Sequence, residues 1–417
     1  MPFYCLLAFL FLSISLNSCQ SSKTTSGDAT FLTELSEWLN NSSSTNINQA
    51  PFAQKNLSKK EALAAQAQIY KHKKSTALQA LKNSWEKKSF TWGEYELKIK
   101  VKTFGEAPKD GHSLYISMHG GGGAAPEVND QQWENQIRLY HPKEGIYIAP
   151  RAPTNTWNLW HQHHIDELFD QLIAAAIVVA NVNPNKIYLT GYSAGGDGTF
   201  QLAPRMADRF AAAAMMAGHP NETTPEGLRN LPFALYMGEL DAAYDRNQKA
   251  EDWKGLLDSL QNLDKEGYQH QVRIVKGMGH WMKRADTTGV QWMAQFTRNP
   301  IPSKIVWKQD DRHHSNFYWL EVPTKLAQTG KRIIAHYKNN TINIEENYSD
   351  TLIINLNDQM LNLDQPITIN VHGKSIFNDK IPRKVAHIWK ASERRLDDNF
   401  AFCSRLVVVN NKMVLNN

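Results

Sequence analysis

Cysteine is scarce in this chain. Three occur in 417 residues, Cys5, Cys19 and Cys403. The first two fall in the N-terminal leader, so a disulfide framework is excluded. Cys403 lies in the strand-like run AFCSRLVVV and reads as a small buried hydrophobe. Long apolar runs are lacking as well. Residues 6–16 (LLAFLFLSISL) have signal-peptide length and are too short to span a bilayer as a helix. Charge is nearly balanced, with a net +5, and no basic block carries interleaved aromatics. Nucleic-acid binding therefore has no support. No internal repeat occurs, and no His/Cys spacing matches a zinc motif.

What the chain does have is Gly191-Tyr192-Ser193-Ala194-Gly195 in a telling context. Residues 186–190 (KIYLT) read as a buried strand, and residues 196–207 as a helix that Pro204 should end or kink. A serine between strand and helix, with glycines two positions away on each side, fits a nucleophile elbow. Upstream, the strand LYISM (114–118) runs straight into His119-Gly120-Gly121-Gly122-Gly123. Glycine lets a backbone turn its N–H groups toward a substrate oxygen with no side chain in the way. The N–H groups of Gly120 or Gly121, with that of Ala194, are candidates to hold an oxyanion. No Gly-Lys-Ser/Thr follows, which discounts a phosphate cradle.

An acid and a histidine should follow the serine, in that order. The strand FALYM (233–237) ends in Gly238-Glu239-Leu240-Asp241, and QVRIV (271–275) is followed by Lys276-Gly277-Met278-Gly279-His280. Both candidates sit past the C-terminal ends of strands, where open α/β sheets form ligand sites. His280 is the candidate base and Asp241 its partner, with Asp245 and Glu239 as weaker rivals.

With these four elements in this order, the chain resembles the α/β-hydrolases. More narrowly, it resembles bacterial predicted esterases related to phospholipase/carboxylesterases and polyhydroxybutyrate depolymerase-like proteins. The resemblance covers residues 90–300. It implies a serine hydrolase of esters that works without a cofactor, with an ester, small or polymeric, as its substrate. A serine peptidase of the same fold is one alternative. A glycan- or polymer-binding protein on a retired hydrolase scaffold is another.

The spacing of strands near 114, 146, 187, 211, 233 and 271 predicts a mainly parallel sheet with helices on both faces. Residues 90–104 should add antiparallel edge strands. The hydrolase domain is expected over 58–302, opening on a helix at 58–88. Ser58 and Glu61 have capping-box spacing there, and Ala77, Leu78, Leu81 and Trp85 supply an apolar face expected to pack on the core. After Pro302, short alternating runs predict a small mostly-β domain over 303–417, a sandwich or barrel. Asn339-Asn340 and His372-Gly373-Lys374 mark its tight turns. Its aromatics Trp307, Phe317, Tyr318 and Trp319 are read as packing rather than as a ligand platform.

Leu16-Asn17-Ser18-Cys19 resembles the lipobox of bacterial lipoproteins. That implies a signal peptide over 1–18 and a lipidated Cys19, the lipid being the chain's link to a membrane. A plainly secreted chain is the alternative. Residues 19–57 then read as tether and linker, apart from a short helix at 29–39.

Other residues invite a role. His161, His163, His164 and Asp166 look like a metal cluster, but adjacent histidines rarely converge on one centre, and no metal is expected. Trp157 and Trp160, in a loop leaving the same sheet end, are candidates to line a substrate pocket with Tyr192; loop anchoring is the alternative. Asp197 reads as a helix N-terminal charge; His219, at the end of the strand AAAAMMAG, reads as a packed loop residue, with a place facing the site as the alternative.

Overall fold

The computed structural model describes residues 26–41 and 46–414. The leader and Cys19 lie outside the described residues. Among the described residues, no helix is long and apolar enough to cross a membrane.

The N-terminal part is helical: α1 (Ser26–Asn41) and α2 (Lys59–Lys87). The central sheet follows, with β1 (Ser89–Trp92), β2 (Tyr95–Phe104), β3 (His112–Met118), β4 (Gly145–Arg151), β5 (Val182–Tyr192), β6 (Ala212–Met216), β7 (Phe233–Gly238) and β8 (His270–Val275). Its connections carry α3 (Pro126–Gln136), α4 (His163–Val179), α5 (Ala194–Arg205), α6 (Arg246–Leu263) and α7 (Thr288–Met293). Strand order is β1-β2-β4-β3-β5-β6-β7-β8. The strands from β4 to β8 run parallel, and β1 and β2 form an antiparallel edge.

Alternation along the parallel strands splits the core in two. Leu114, Ile116, Leu189, Met215 and Leu235 belong to one buried cluster, while Tyr115, Tyr188, Ala214 and Tyr236 belong to the other. A strand buried on both faces reads as a near-continuous apolar run, and this is why LYISM and FALYM were legible. The chain order reverses around β3, which has β4 on one side and β5 on the other. The crevice beyond the C-terminal ends of β3 and β5 is thus the switch point where ligands bind in such sheets.

The C-terminal part holds two five-stranded sheets. One, in order β10-β11-β14-β17-β18, consists of Asn316–Phe317, Leu320–Glu321, Thr351–Leu356, Ser404–Val409 and Lys412–Val414. The other, β16-β15-β13-β12-β9, consists of Lys374–Asp379, Ile367–Val371, Thr341–Glu346, Arg332–Lys338 and Lys304–Lys308. Helix α8 (Val385–Arg394) packs beside them. The turn residues do what their chemistry requires. Asn339 and Asn340 have φ of 50° and 56°, and His372 and Gly373 have 49° and 77°, the left-handed pair of a two-residue hairpin. Trp307, Phe317, Tyr318 and Trp319 are all buried.

Two boundaries differ from the sequence reading. Residues 46–57 are not linker: Ile47, Ala50, Phe52, Ala53 and Leu57 are buried. Phe31, Leu35 and Leu39, four residues apart, bury one face of α1. Trp38 meets Trp389 of α8 edge-on at 5.4 Å, and Ala386 N–H donates to Ala53 O at 3.2 Å. The segment before α2 is therefore a clasp on the C-terminal part. The second difference lies within α2. Its capping box forms, but the buried residues are Ala62, Ala65, Ile69 and Tyr70, whereas Leu78 is exposed and Leu81 and Trp85 are half-buried. Helix α2 packs on α4 and α8, and its buried residues lie in its N-terminal half, while Leu81 and Trp85 are only partly covered by the core.

Candidate active site

Three glycine contacts build the site. A Cβ on Gly191 would stand 2.1 Å from Gly195 O, and one on Gly195 2.1 Å from Met118 O. Neither position tolerates any side chain. The turn between them holds Ser193 at φ 58°, ψ −122°, a strained conformation for a serine that lifts its hydroxyl off the sheet. A Cβ on Gly238 would meet Gly279 O at 2.1 Å, so the loops that carry Asp241 and His280 are pressed together.

The result is a chain of hydrogen bonds. His280 Nε2 is 3.0 Å from Ser193 Oγ, and His280 Nδ1 is 2.7 Å from Asp241 Oδ2. Nδ1–H donates to the carboxylate, which leaves Nε2 free to accept from the serine hydroxyl. Asp241 is 3 % exposed, so its charge is directed at the ring rather than at water. Asp245 is no competitor: it sits in the left-handed region at the start of α6 and touches neither ring nor serine. Glu239 accepts from Gly277 N–H at 2.7 Å and so braces the histidine loop.

Beside the serine, Met118 and Gly191 are paired neighbours in the parallel ladder, which carries the glycine run to Ser193. Gly121, Gly122 and Gly123 all have positive φ. Gly122 N–H donates to Asn129 Oδ1 and Gly123 N–H to Asn155 O, so those two are committed to the loop. Gly120 lies beneath Ser193, where its own Cβ would be 3.1 Å from Ser193 Cβ. Gly121 and Ala194 line the cavity above it. His119 is buried, accepts from Ala152 N–H at Nε2, and burial pulls its pKa down to about 4, so it is a neutral strut.

A cavity of about 360 Å³ opens above the serine. Trp157 lines it, 63 % exposed. Trp160 does not: it is fully buried and donates from Nε1 to His119 O at 2.9 Å, anchoring the loop from below. Tyr192 is buried as well. Its hydroxyl donates to His280 O at 2.6 Å and accepts from Met282 N–H at 3.3 Å, so it braces the histidine loop.

The sequence reading missed the polar wall of this cavity. Asp197, His219, Asn221, Tyr244 and Arg246 line it. Asp197 Oδ1 accepts from His219 N–H at 2.6 Å, and burial raises the Asp197 pKa to about 6. His219 is thus a pocket residue, not merely a packed one. The site-facing alternative for His219 thus holds: it follows the C-terminal end of β6, as Asp241 and His280 follow β7 and β8.

The histidine-rich stretch is dispersed. His164 stacks on Tyr95 at 3.7 Å, while Asp166 pairs with Arg205 and His314. Elsewhere among the described residues, the carboxylates of Glu222, Asp310 and Asp311 lie within 4.8 Å of one another.

This sheet, its strand order and the placement of serine, acid and histidine past the ends of β5, β7 and β8 are those of the α/β-hydrolase fold. Residues 140–295 match the dienelactone hydrolase family model. That match covers less than half of the chain, and the fold of the central sheet is that of the α/β-hydrolases. No curated protein matches the chain in sequence. Among solved structures, a thermostable esterase is similar at 20% identity, over 50% of this chain and 62% of that one, with a TM-score of 0.37. A ferulic acid esterase is similar at 16% identity over 48% and 98% of the two chains, TM-score 0.33. A poly(3-hydroxybutyrate) depolymerase from Bordetella parapertussis is similar at 14% identity over 49% and 86%, TM-score 0.36. Likeness at this level carries no substrate across to this α/β-hydrolase.

Proposed function

We propose that the chain is a serine esterase in which Ser193, His280 and Asp241 act as a triad. The observation that carries this is the unbroken relay from Asp241 Oδ2 through His280 to Ser193 Oγ, at 2.7 and 3.0 Å. His280 Nε2 takes the hydroxyl proton as Ser193 Oγ attacks the ester carbonyl carbon. The carbonyl oxygen becomes an oxyanion, held by the N–H groups of Gly121 and Ala194. Collapse expels the alcohol, which takes its proton from His280. Water then attacks the acyl-serine, with His280 as base again, and the acid leaves.

The open, polar cavity and its single exposed tryptophan suit a short or polar acyl group better than a long alkyl chain. Hydrolysis of p-nitrophenyl esters from acetate to palmitate, by the wild type and Ser193→Ala, tests this. Short esters should turn over best, and Ser193→Ala should lose roughly 10⁴-fold or more in kcat while folding normally. Near-wild-type turnover by Ser193→Ala would sink the mechanism. No turnover of any ester, with Ser193 still labelled by a fluorophosphonate, would favour a peptidase.

We also infer that Cys19 is lipidated and holds the enzyme on a bacterial membrane, a reading supported by the lipobox-like Leu16-Asn17-Ser18-Cys19. Cys19→Ala should move the full-length protein out of the membrane fraction of an expressing cell. Unchanged fractionation would contradict the anchor.

A further inference from the structure

The cavity above Ser193 has a polar wall that neither the triad nor the oxyanion donors use. Three groups on it are open and uncommitted. Asp197 Oδ1 is taken by His219 N–H at 2.6 Å, but Oδ2 is reached by solvent and bonds to no other residue among those described. His219 Nδ1 accepts from Asn221 N–H at 2.9 Å, and burial lowers the pKa of the ring, so at neutral pH the ring proton sits on Nε2. That N–H is also reached by solvent and unpartnered among the described residues. Arg246 is held by its guanidinium, 4.8 Å over the Tyr244 ring, and by a long bond from Nη1 to Ala243 O at 3.4 Å. Its Nε is shielded, so Nη2 is the atom that a ligand can reach.

The signs on this wall offset each other. An anion drawn to Arg246 would meet Asp197, and an ammonium group drawn to Asp197 would meet Arg246. A hydroxyl both donates and accepts, so adjacent hydroxyls can serve the carboxylate, the imidazole N–H and the guanidinium together. Two aromatic rings complete the cavity: Trp157, 63 % exposed, and Tyr244, 76 % exposed. Tyr244 holds φ 57° and Asp245 after it φ 55°, left-handed values that a bulky residue seldom adopts. A strained backbone that gains no burial for its ring points to a task for the ring at the site. The negative face of an aromatic ring receives the slightly positive C–H groups of a flat ligand. A pyranose has such C–H faces, with hydroxyls around its rim.

We propose that the enzyme acts on an O-acylated sugar whose sugar half lies in this cavity, with its hydroxyls on Asp197, His219 and Arg246 and a C–H face on Trp157 or Tyr244. This rests on the reading of Ser193, His280 and Asp241 as an ester-cleaving triad. The bond between the acyl carbon and the sugar oxygen breaks, the sugar leaves with the proton held by His280, and water releases the acid from Ser193. A cavity of about 360 Å³ shared by both halves of the substrate favours a short acyl group.

Matched pairs of esters test this: the 6-acetate of methyl glucopyranoside against cyclohexylmethyl acetate, and a ring monoacetate of methyl xylopyranoside against cyclohexyl acetate. Each pair shares the acetyl group and a six-membered ring and differs in the sugar oxygens. In at least one pair the sugar ester should have a kcat/KM roughly tenfold or more above its counterpart, because an analogue without hydroxyls leaves the polar wall unpaired. Asp197→Ala should lower that ratio roughly tenfold. The ratio is read within one preparation, so a loss of folded protein lowers both rates and leaves it unchanged. If Asp197→Ala yields no folded protein, His219→Ala should lower the ratio severalfold. Carbocyclic esters cleaved as well as the sugar esters in both pairs, or an unchanged ratio in the variant, would overturn the sugar and leave the esterase standing. Faster cleavage of monoethyl succinate than of either sugar ester would assign Arg246 to a carboxylate and overturn it too. If the wild type cleaves no ester, the triad reading fails, and titration calorimetry of Ser193→Ala with the methyl glucopyranoside 6-acetate decides the sugar site. Saturable binding that Asp197→Ala weakens would support the site, and no binding would overturn it.

Discussion

At the scale of single residues, the candidate site depends on which carboxylates are charged. Asp241 is the one aligned with the imidazole, so Asp241→Asn should cost about 10⁴-fold in kcat by allowing the wrong histidine tautomer. Asp245→Asn should be close to wild type, and steady-state kinetics on a short ester separates the two. Asp197 behaves differently. Its folded pKa, about 6, lies above the ordinary aspartate value because burial penalises its ionised form. Below the unfolded pKa both states are protonated and nothing is lost. As pH rises through the folded pKa, the unfolded state ionises more readily and the native state loses stability. Asp197→Asn cannot ionise and still accepts from His219 N–H. It should therefore flatten the decline in Tm between about pH 4 and 7 and melt higher than wild type at pH 8. An unchanged pH–Tm profile would show that Asp197 is ionised in the fold without penalty.

Elements explain why some patterns were readable and others misled. The parallel strands declared themselves because both their faces are buried. The hairpins did so because Asn339-Asn340 and His372-Gly373 are chemically suited to positive φ. Helix α2 misled because its apolar residues recur along its length, yet full burial is confined to its first half; Leu81 and Trp85 are only partly covered and Leu78 is exposed. Ile69→Ala should therefore cost about 2–4 kcal/mol in urea unfolding, while Leu78→Ala should cost under about 0.5 kcal/mol. Equal losses would mean that the distal half of α2 is covered after all. The segment before α2 misled for the opposite reason. Asn- and Ser-rich stretches look like linker, and the few apolar residues from Ile47 to Leu57 gain meaning only against α8.

For the whole molecule, the hydrolase and C-terminal parts share one continuous core that reaches from Phe31 to Val408. Asp208, fully buried after α5, is its polar pin. It takes Arg209 and Arg395 as partners and accepts from Tyr318 N–H at 3.1 Å. Asp208→Ala would take from Arg395 its carboxylate partner while Arg209 keeps Asp170, so a loss of about 3–5 kcal/mol in denaturant unfolding is expected. A change below about 1 kcal/mol would mean that Asp208 is not what pins the two parts together.

By itself the sequence determined the fold class, the elbow around Ser193 and the order of acid and histidine. These rest on local physics: glycines where a Cβ has no room, strands buried on both faces, turn residues suited to left-handed φ. The tertiary structure decided what depends on neighbours distant in the chain. It directed Trp157 outward and Trp160 inward, although they stand three residues apart in one loop. It brought Asp197, His219 and Arg246 to one wall. Burial and charge pairing are sums over the surrounding space, and no window of sequence contains those sums.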